Sequence, residues 1–109
     1  MNDNHFVIGL DFGTKSVRAL IVDVHSGCAV GAAVNSYADG VIDEHLPGTT
    51  IRLDPDWALQ NPNDYVESLR QVIPDALKQS GVRADDVIGL GIDFTSATII
   101  PTTKDGTPL

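Results

Sequence analysis

The sequence predicts an α/β fold, in which one helix connects strands of a mixed sheet. Two apolar runs end in the same Gly-X-Asp pattern, at Asp11 and at Asp93. Alternating apolar segments within residues 16–37 predict two consecutive hairpins, and one amphipathic segment with helical spacing follows them. The predicted element order is β-β-β-α-β-β. The fourth strand then runs parallel to the first, with a right-handed crossover as the default.

The first half of the chain is predicted to form an antiparallel meander. Residues 6–10 are a nearly continuous apolar run, which predicts a strand buried on both faces. Residues 16–24 predict a second strand, and the turn at Ser26-Gly27 leads into a third strand over residues 28–37. Residues 38–61 are irregular, and a loop of this length inside a compact domain is usually functional.

Asn61 and Pro62 predict the start of a helix, as the N-cap and the first helical residue. Pro74 is expected to kink this helix, because it removes a backbone donor and crowds the preceding turn. Gly81 is well placed to cap the C-terminus. Apolar residues at helical spacing predict the buried stripe. These residues are Val66, Leu69, Ile73 and Leu77.

After the helix, residues 87–92 predict a fourth strand that ends at Asp93. Residues 97–102 predict a fifth strand, and Lys104-Asp105-Gly106 predicts a turn. The sequence then stops just past a turn that should lead into another strand. We therefore expect residues 1–109 to be part of a larger domain, and the chain alone to expose sheet surface.

Composition narrows the classes of function. The chain has 109 residues, of which 42% are hydrophobic and 20% charged, as in soluble globular domains. A formal net charge of −8 argues against nucleic acid or an anionic membrane as partner. The single cysteine, Cys28, excludes an internal disulfide. No segment reads as a signal peptide or a membrane span, so we expect a cytoplasmic protein.

The hairpin tip within residues 11–18 is a candidate phosphate site. Gly13 permits close approach of a phosphate, and the N–H groups of residues 14–16 can form an anion nest. Asp11 is suited to hold Mg²⁺ through water. The alternative is an ordinary glycine-containing hairpin with a solvated aspartate and an exposed Lys15. A Walker A loop is excluded, because the Gly-Lys pair is missing and a strand follows.

A second candidate site follows Asp93. Thr95, Ser96 and Thr98 place three hydroxyls near a carboxylate, which suits the hydroxyls of a sugar or polyol. The alternative is that these residues only suit a strand–turn junction. Trp57, in the long loop, either forms the floor of a sugar site or anchors its loop to the core. Ligands of open α/β sheets gather at the carboxyl edge, so we expect the two sites to be neighbours.

Together these features resemble the N-terminal domain of the FGGY carbohydrate kinases, a family of the actin/hexokinase/Hsp70 ATPase superfamily. The pattern Asp-X-Gly-Thr-X-Ser-X-Arg from Asp11 is similar to the family's first phosphate motif. The segments DFGTKSVRALIVD, WALQNPNDYVESL and GIDFTSATIIPTTKDGTPL most resemble family members that act on L-ribulose. The resemblance implies an actin-like ATPase (ribonuclease H-like) fold.

The resemblance also implies a function, namely ATP-dependent phosphorylation of L-ribulose to L-ribulose 5-phosphate in arabinose catabolism. It implies ATP and Mg²⁺ as cofactors, with no nucleic-acid or membrane partner, and a homodimer for the full-length protein. Two alternatives stay open: another pentulose or polyol kinase of the family, and a non-catalytic actin-like ATPase module. The hydroxyl cluster argues against the second alternative, because a module without a sugar ligand does not need it.

The family's functional residues can be carried over to matching positions. Family members are much longer than this chain, and their catalytic aspartate is expected outside residues 1–109, so we expect the chain alone to be inactive. The resemblance implies Asp11 for Mg²⁺; Gly13, Thr14, Lys15, Ser16 and Arg18 for the ATP phosphates; and Asp93, Thr95, Ser96 and Ala97 for the sugar.

Overall fold

The computed structural model describes residues 4–96 and 98–109. Six strands and one α-helix form in these residues, together with a 3₁₀ turn at Ala84–Asp86. The elements are β1 (Phe6–Phe12), β2 (Ser16–Asp23), β3 (Ala29–Ser36), β4 (Val41–Ile42), β5 (Leu59–Gln60), α1 (Pro62–Ser80) and β6 (Val87–Phe94).

The main sheet has the strand order β3-β2-β1-β6. β1, β2 and β3 form the predicted meander, and β6 returns parallel to β1. The register places Asp11 beside Arg18 on β2 and beside Asp93 on β6. The long loop that was predicted to be irregular contains the small sheet β4–β5. The mixed sheet and the parallel return strand are therefore confirmed.

The ends of α1 agree with the sequence prediction. The Asn61 side chain accepts a hydrogen bond from the Asn63 N–H, and Pro62 is the first helical residue. Gly81, with a φ of 75°, donates its N–H to the Leu77 carbonyl. The helix continues through Pro74 as one element. Among the described residues, no helix has the length and apolar character needed to cross a membrane.

The predicted buried stripe of α1 is wrong at Val66, whereas Leu69, Ile73 and Leu77 are partly buried and pack against the core. Val66 is 48% exposed, whereas smaller or polar residues take the central contact positions. The C-terminal end of α1 lies close to β3, because an added Cβ at Gly31 would lie 2.4 Å from the Ser80 Cβ. The Asp64 carboxylate is tolerated inside because it accepts the Asp39 N–H at 3.1 Å. The buried residues of α1 are Asp64, Ser68, Val72 and Ala76.

The prediction that β1 is buried on both faces is also wrong. Ile8 and Leu10 are 3% exposed, but Gly9 and Asp11, on the opposite face, are exposed. The physical reason is that α1 covers one face of the sheet only, where it packs on β2 and β3. No residue of β6 is fully buried.

The predicted fifth strand over residues 97–102 is not formed in the described part of the chain. Residues 98–101 have no regular structure, and Ala97 lies outside the described residues. Thr102 instead forms an isolated antiparallel bridge with Pro108, around the predicted turn. The Thr103 N–H donates to the Thr107 carbonyl at 2.8 Å, so this segment pairs with itself and not with β6.

Candidate functional site

The tip of the β1–β2 hairpin is held by its carbonyl groups. Tyr37 donates its hydroxyl to the Gly13 carbonyl at 2.8 Å and its backbone N–H to the Lys15 carbonyl at 2.9 Å. Gln60 Nε2 donates to the Thr14 carbonyl at 3.1 Å. Within residues 4–96 and 98–109, the N–H groups of Thr14 and Lys15 donate to no protein acceptor. Adjacent free donors of this kind are what an anion nest requires.

The Tyr37 side chain belongs to a small aromatic cluster beneath the tip. It is 7% exposed, and its ring lies 5.3 Å from that of Tyr65, edge to face. Tyr65 makes a similar contact with Phe12 at 6.0 Å. Burial, with smaller contributions from nearby ionisable groups, raises the pKa of Tyr37 to about 12. The Tyr37 hydroxyl therefore stays protonated at neutral pH and can donate to the tip.

An open groove of about 580 Å³ lies between the tip and the segment that follows β6. The Thr95 N–H donates to the Phe12 carbonyl at 3.1 Å, which fixes that segment beside the end of β1. The hydroxyls of Thr95 and Thr98 are 3.2 Å apart and hydrogen-bonded. The polar residues that line the groove are Thr14, Gln60, Thr95, Ser96 and Thr98.

Asp11 and Asp93 form a carboxylate pair on the face of the sheet that α1 does not cover. A hydrogen bond with Asp11, slight desolvation and the Asp11 charge raise the pKa of Asp93. A shared proton or a cation relieves the repulsion between two such groups. Mg²⁺ is usually held by one or two carboxylates together with phosphates and water, so this pair fits it. The described residues contain no cluster of three or more potential metal-ligating side chains.

The predicted site residues thus form two groups. Thr14 shares the groove with Thr95 and Ser96, as the sequence predicted for neighbouring sites. Asp93, which was grouped with the sugar-binding residues, instead lines a separate cavity of about 450 Å³ with Asp11 and Arg18. Asp93 lies within β6, whereas Thr95 follows the end of the strand at Phe94, where its N–H donates to the Phe12 carbonyl and the chain has left the strand.

The remaining predicted residues lie close to these two groups. Gly13 donates its N–H to the Ser16 carbonyl at 2.8 Å, which closes the tip, and Lys15 is exposed there. Ala97 lies outside the described residues. Trp57 is 54% exposed and does not line the groove.

Sequence reasoning missed the side chains that hold the tip. Tyr37 and Gln60 lie 24 and 46 residues from the carbonyls that their side chains bind. The available signals were weak: Tyr37 ends an apolar strand, and Gln60 directly precedes the N-cap Asn61. Neither position shows its partner: the Tyr37 contacts follow from the pairing of β2 with β3, and the Gln60 contacts depend on how the long loop folds back over the hairpin.

Comparison with known proteins gives relatives along nearly all of the chain. A ribulokinase from Halalkalibacterium halodurans is 49% identical over 104 residues, which is 95% of this chain and 18% of the relative. A ribulokinase from Geobacillus thermodenitrificans is 50% identical with the same coverage. A xylulose kinase structure from Rhodospirillum rubrum superposes with a TM-score of 0.70 at 20% identity, covering 96% of this chain and 19% of that one.

The chain spans 18% of the length of these curated relatives. The structural match agrees with the expected actin-like fold of sugar kinases. The model of the FGGY family of carbohydrate kinases, N-terminal domain, matches residues 6–109. The chain therefore belongs to the FGGY family of carbohydrate kinases.

Proposed function

We propose that the full-length protein carrying this chain is an ATP-dependent kinase that phosphorylates L-ribulose at its 5-hydroxyl. The observation that carries this proposal is the groove in which the free N–H donors of the tip lie near the hydroxyls of Thr95 and Ser96. A phosphate donor and a polyol acceptor need such adjacent sites, because phosphoryl transfer depends mainly on positioning and charge stabilisation. The ribulokinase relatives support L-ribulose as the acceptor.

The tip is proposed to bind the ATP phosphates. The N–H groups of Thr14 and Lys15, the Lys15 ammonium group and the Ser16 hydroxyl supply donors and positive charge. Gly13 keeps the tip tight, because an added Cβ would lie 3.2 Å from the Ser16 carbonyl oxygen. Arg18, the third residue of β2 and the register partner of Asp11, adds a cation on the open face.

Mg²⁺ is proposed to bind at the carboxylate pair of Asp11 and Asp93. When bound there, the ion would offset the negative charge of the phosphates. The two carboxylates would orient its water ligands, because they are held in register on neighbouring strands. This assigns Asp93 to the cation and leaves Thr95, Ser96 and Ala97 for the sugar.

The group that takes the proton from the sugar hydroxyl is proposed to lie outside residues 1–109. The described residues that line the groove include hydroxyls, an amide and apolar groups, but no carboxylate or histidine. Residues 1–109 would then form the N-terminal part of a longer kinase domain that works in the cytoplasm. A homodimer is our proposal for the full-length protein.

The first test is the substrate preference of the full-length protein. ATP-dependent phosphorylation is measured with L-ribulose, D-ribulose, xylulose, ribitol and glycerol at equal concentrations. We expect the highest kcat/KM for L-ribulose. A clear preference for xylulose or glycerol would contradict the proposed substrate while leaving a kinase of the same family. ATP hydrolysis that no sugar stimulates would indicate a non-catalytic ATPase module.

The second test is the role of Asp11. We expect Asp11→Asn to lower kcat/KM by about 100-fold, as for the loss of a carboxylate that orients a metal ligand. The matched control is Asp85→Asn, the same change at a side chain that is 86% exposed. Circular dichroism checks that both variants fold. Activity within about twofold of wild type in Asp11→Asn would remove the proposed metal role.

A further inference from the structure

Gln60 contacts groups from both sides of the groove. Its Nε2 donates to the Thr14 carbonyl of the hairpin tip at 3.1 Å. Its Oε1 accepts a short hydrogen bond from the Tyr65 hydroxyl, and the Thr98 hydroxyl lies 3.5 Å from the same oxygen. One amide therefore joins the tip to the segment that carries the hydroxyl cluster.

The chemistry of these groups determines how the Gln60 amide is oriented. The Thr14 carbonyl can only accept a hydrogen bond, so the amide nitrogen must face it. The amide oxygen then faces the hydroxyls of Tyr65 and Thr98, which can both donate. A glutamate at this position would keep the acceptor for Tyr65. It would, however, place a second acceptor against the Thr14 carbonyl.

The surroundings of Gln60 hold the amide in place. Its backbone pairs with Val41 in the small sheet β4–β5, and Asn61 begins α1 directly after it. The Tyr65 ring is packed edge to face against Phe12 and Tyr37. An amide held at the backbone and at both polar atoms loses little further freedom when a ligand binds.

We propose that Gln60 is a positioning residue for both substrates. By holding the Thr14 carbonyl inward, it keeps the N–H groups of the tip free for phosphate. Through its oxygen, it holds Tyr65 and Thr98 beside the hydroxyl of Thr95. This inference rests on the proposed function, which assigns phosphate to the tip and the sugar to the segment after β6.

The main variant is Gln60→Glu in the full-length protein, because it keeps the size of the side chain and replaces its donor with an ionised acceptor. Tyr65→Phe removes the hydroxyl on the other side of the amide. Gln79→Glu is the matched control: its Oε1 accepts the Ala32 N–H at the far end of α1, and glutamate keeps that acceptor. For each variant, kcat and the KM values for ATP and for L-ribulose are measured, together with hydrogen exchange of a peptide containing Thr14.

We expect Gln60→Glu to raise both KM values about tenfold, as for the loss of one hydrogen bond that leaves a carbonyl unpaired. Hydrogen exchange of the peptide containing Thr14 should be faster by a similar factor, and kcat should change less than the KM values. Tyr65→Phe should raise the same KM values and the exchange rate by smaller factors. Gln79→Glu should match wild type in all of these quantities. A purely structural defect would instead lower the active fraction and leave both KM values unchanged.

Two results would overturn the inference. One is unchanged tip exchange in Gln60→Glu, and the other is a rise in KM confined to one substrate. Failure of the proposed function is distinguishable, because it would appear in the wild type as no phosphorylation of L-ribulose. In that case the exchange comparison of Gln60→Glu with Gln79→Glu still decides whether Gln60 positions the tip.

Discussion

β2 and β6 are apolar strands of eight residues in the same sheet, yet their environments differ. In β2, Val17, Ala19 and Ile21 are completely buried. In β6, Leu90 is 50% exposed and Ile92 is 53% exposed. The local sequence pattern does not separate the two strands. The position of α1 does, because it packs on β2 and β3 and leaves most of β6 exposed.

This difference shows that an apolar strand sequence favours burial of its side chains but does not indicate which element packs against them. Phe94, at the end of β6, is 74% exposed, and Ile88 is 59% exposed. Such exposure is large for side chains of this kind in one strand. The expectation that this chain exposes sheet surface is thereby confirmed.

The largest expected effect comes from truncating equivalent side chains in the two strands. Ile21→Ala should lower the free energy of unfolding by about 3 kcal/mol, because it leaves a cavity in the packed core. Leu90→Ala should cost less than about 1 kcal/mol, since half of that side chain is already in water. Urea denaturation followed by circular dichroism measures both. Equal losses would mean that β6 is covered in solution.

A pair of glycine substitutions tests the same comparison by adding a methyl group instead of removing side-chain atoms. Gly31→Ala should cost about 2 kcal/mol, because the new Cβ would overlap Ser80 and force α1 away from β3. Gly91→Ala, on β6, meets nothing within 4 Å and should not lower stability. The free energies of unfolding of the two variants are compared with wild type. A loss in Gly91→Ala as large as that in Gly31→Ala would contradict the open environment of β6.

The smallest effect concerns Tyr37, beneath the hairpin tip. Tyr37→Phe should lower the free energy of unfolding by about 1 kcal/mol at neutral pH, through the lost hydrogen bond to Gly13. Its pKa is about 12 in the folded chain, against 10.0 for an unperturbed phenol. The stabilisation from the neutral phenol is therefore complete below pH 10.0 and is lost as the pH rises through about 12.

The measurement for this prediction is the ultraviolet absorbance of phenolate as the pH is raised. Wild type should show an ionisation near pH 12 that is missing in Tyr37→Phe. Tyr65→Phe is the control, because burial, the largest cause of the raised pKa of Tyr37, remains in that variant. An ordinary tyrosine titration in the wild type would mean that the hydroxyl is not buried against the tip.

Much of the fold could be predicted because its signals are local. Asn61 and Gly81 marked the helix ends through capping chemistry, and the alternation in β2 marked a strand. The predicted fifth strand failed for a non-local reason. Apolar and β-branched residues near Thr102 favour an extended chain, but the pairing partner turned out to be Pro108.

The residues of the candidate site also divide into those that local sequence signals predicted and those that depend on non-local contacts. Asp11 and Asp93 could be placed on neighbouring strands from the Gly-X-Asp repeat and the parallel crossover. That Asp93 lies beside Asp11 depends on the strand register, and a shift by one residue would move its side chain to the opposite face. Tyr37 and Gln60 could not be assigned, since the Tyr37 partners depend on the register of β2 with β3 and the Gln60 partners depend on the path of the long loop.

The sequence by itself determined the hairpin tip, the helix with its caps and the two carboxylate-ended strands, because short-range backbone preferences and side-chain periodicity encode them. Only the tertiary structure decided which face of the sheet is covered and which donors turn the tip carbonyls inward. Those outcomes depend on packing between segments far apart in the chain. In the described part of the chain, Tyr37 and Gln60 bind the carbonyls of the tip, while the N–H groups of Thr14 and Lys15 donate to no protein acceptor.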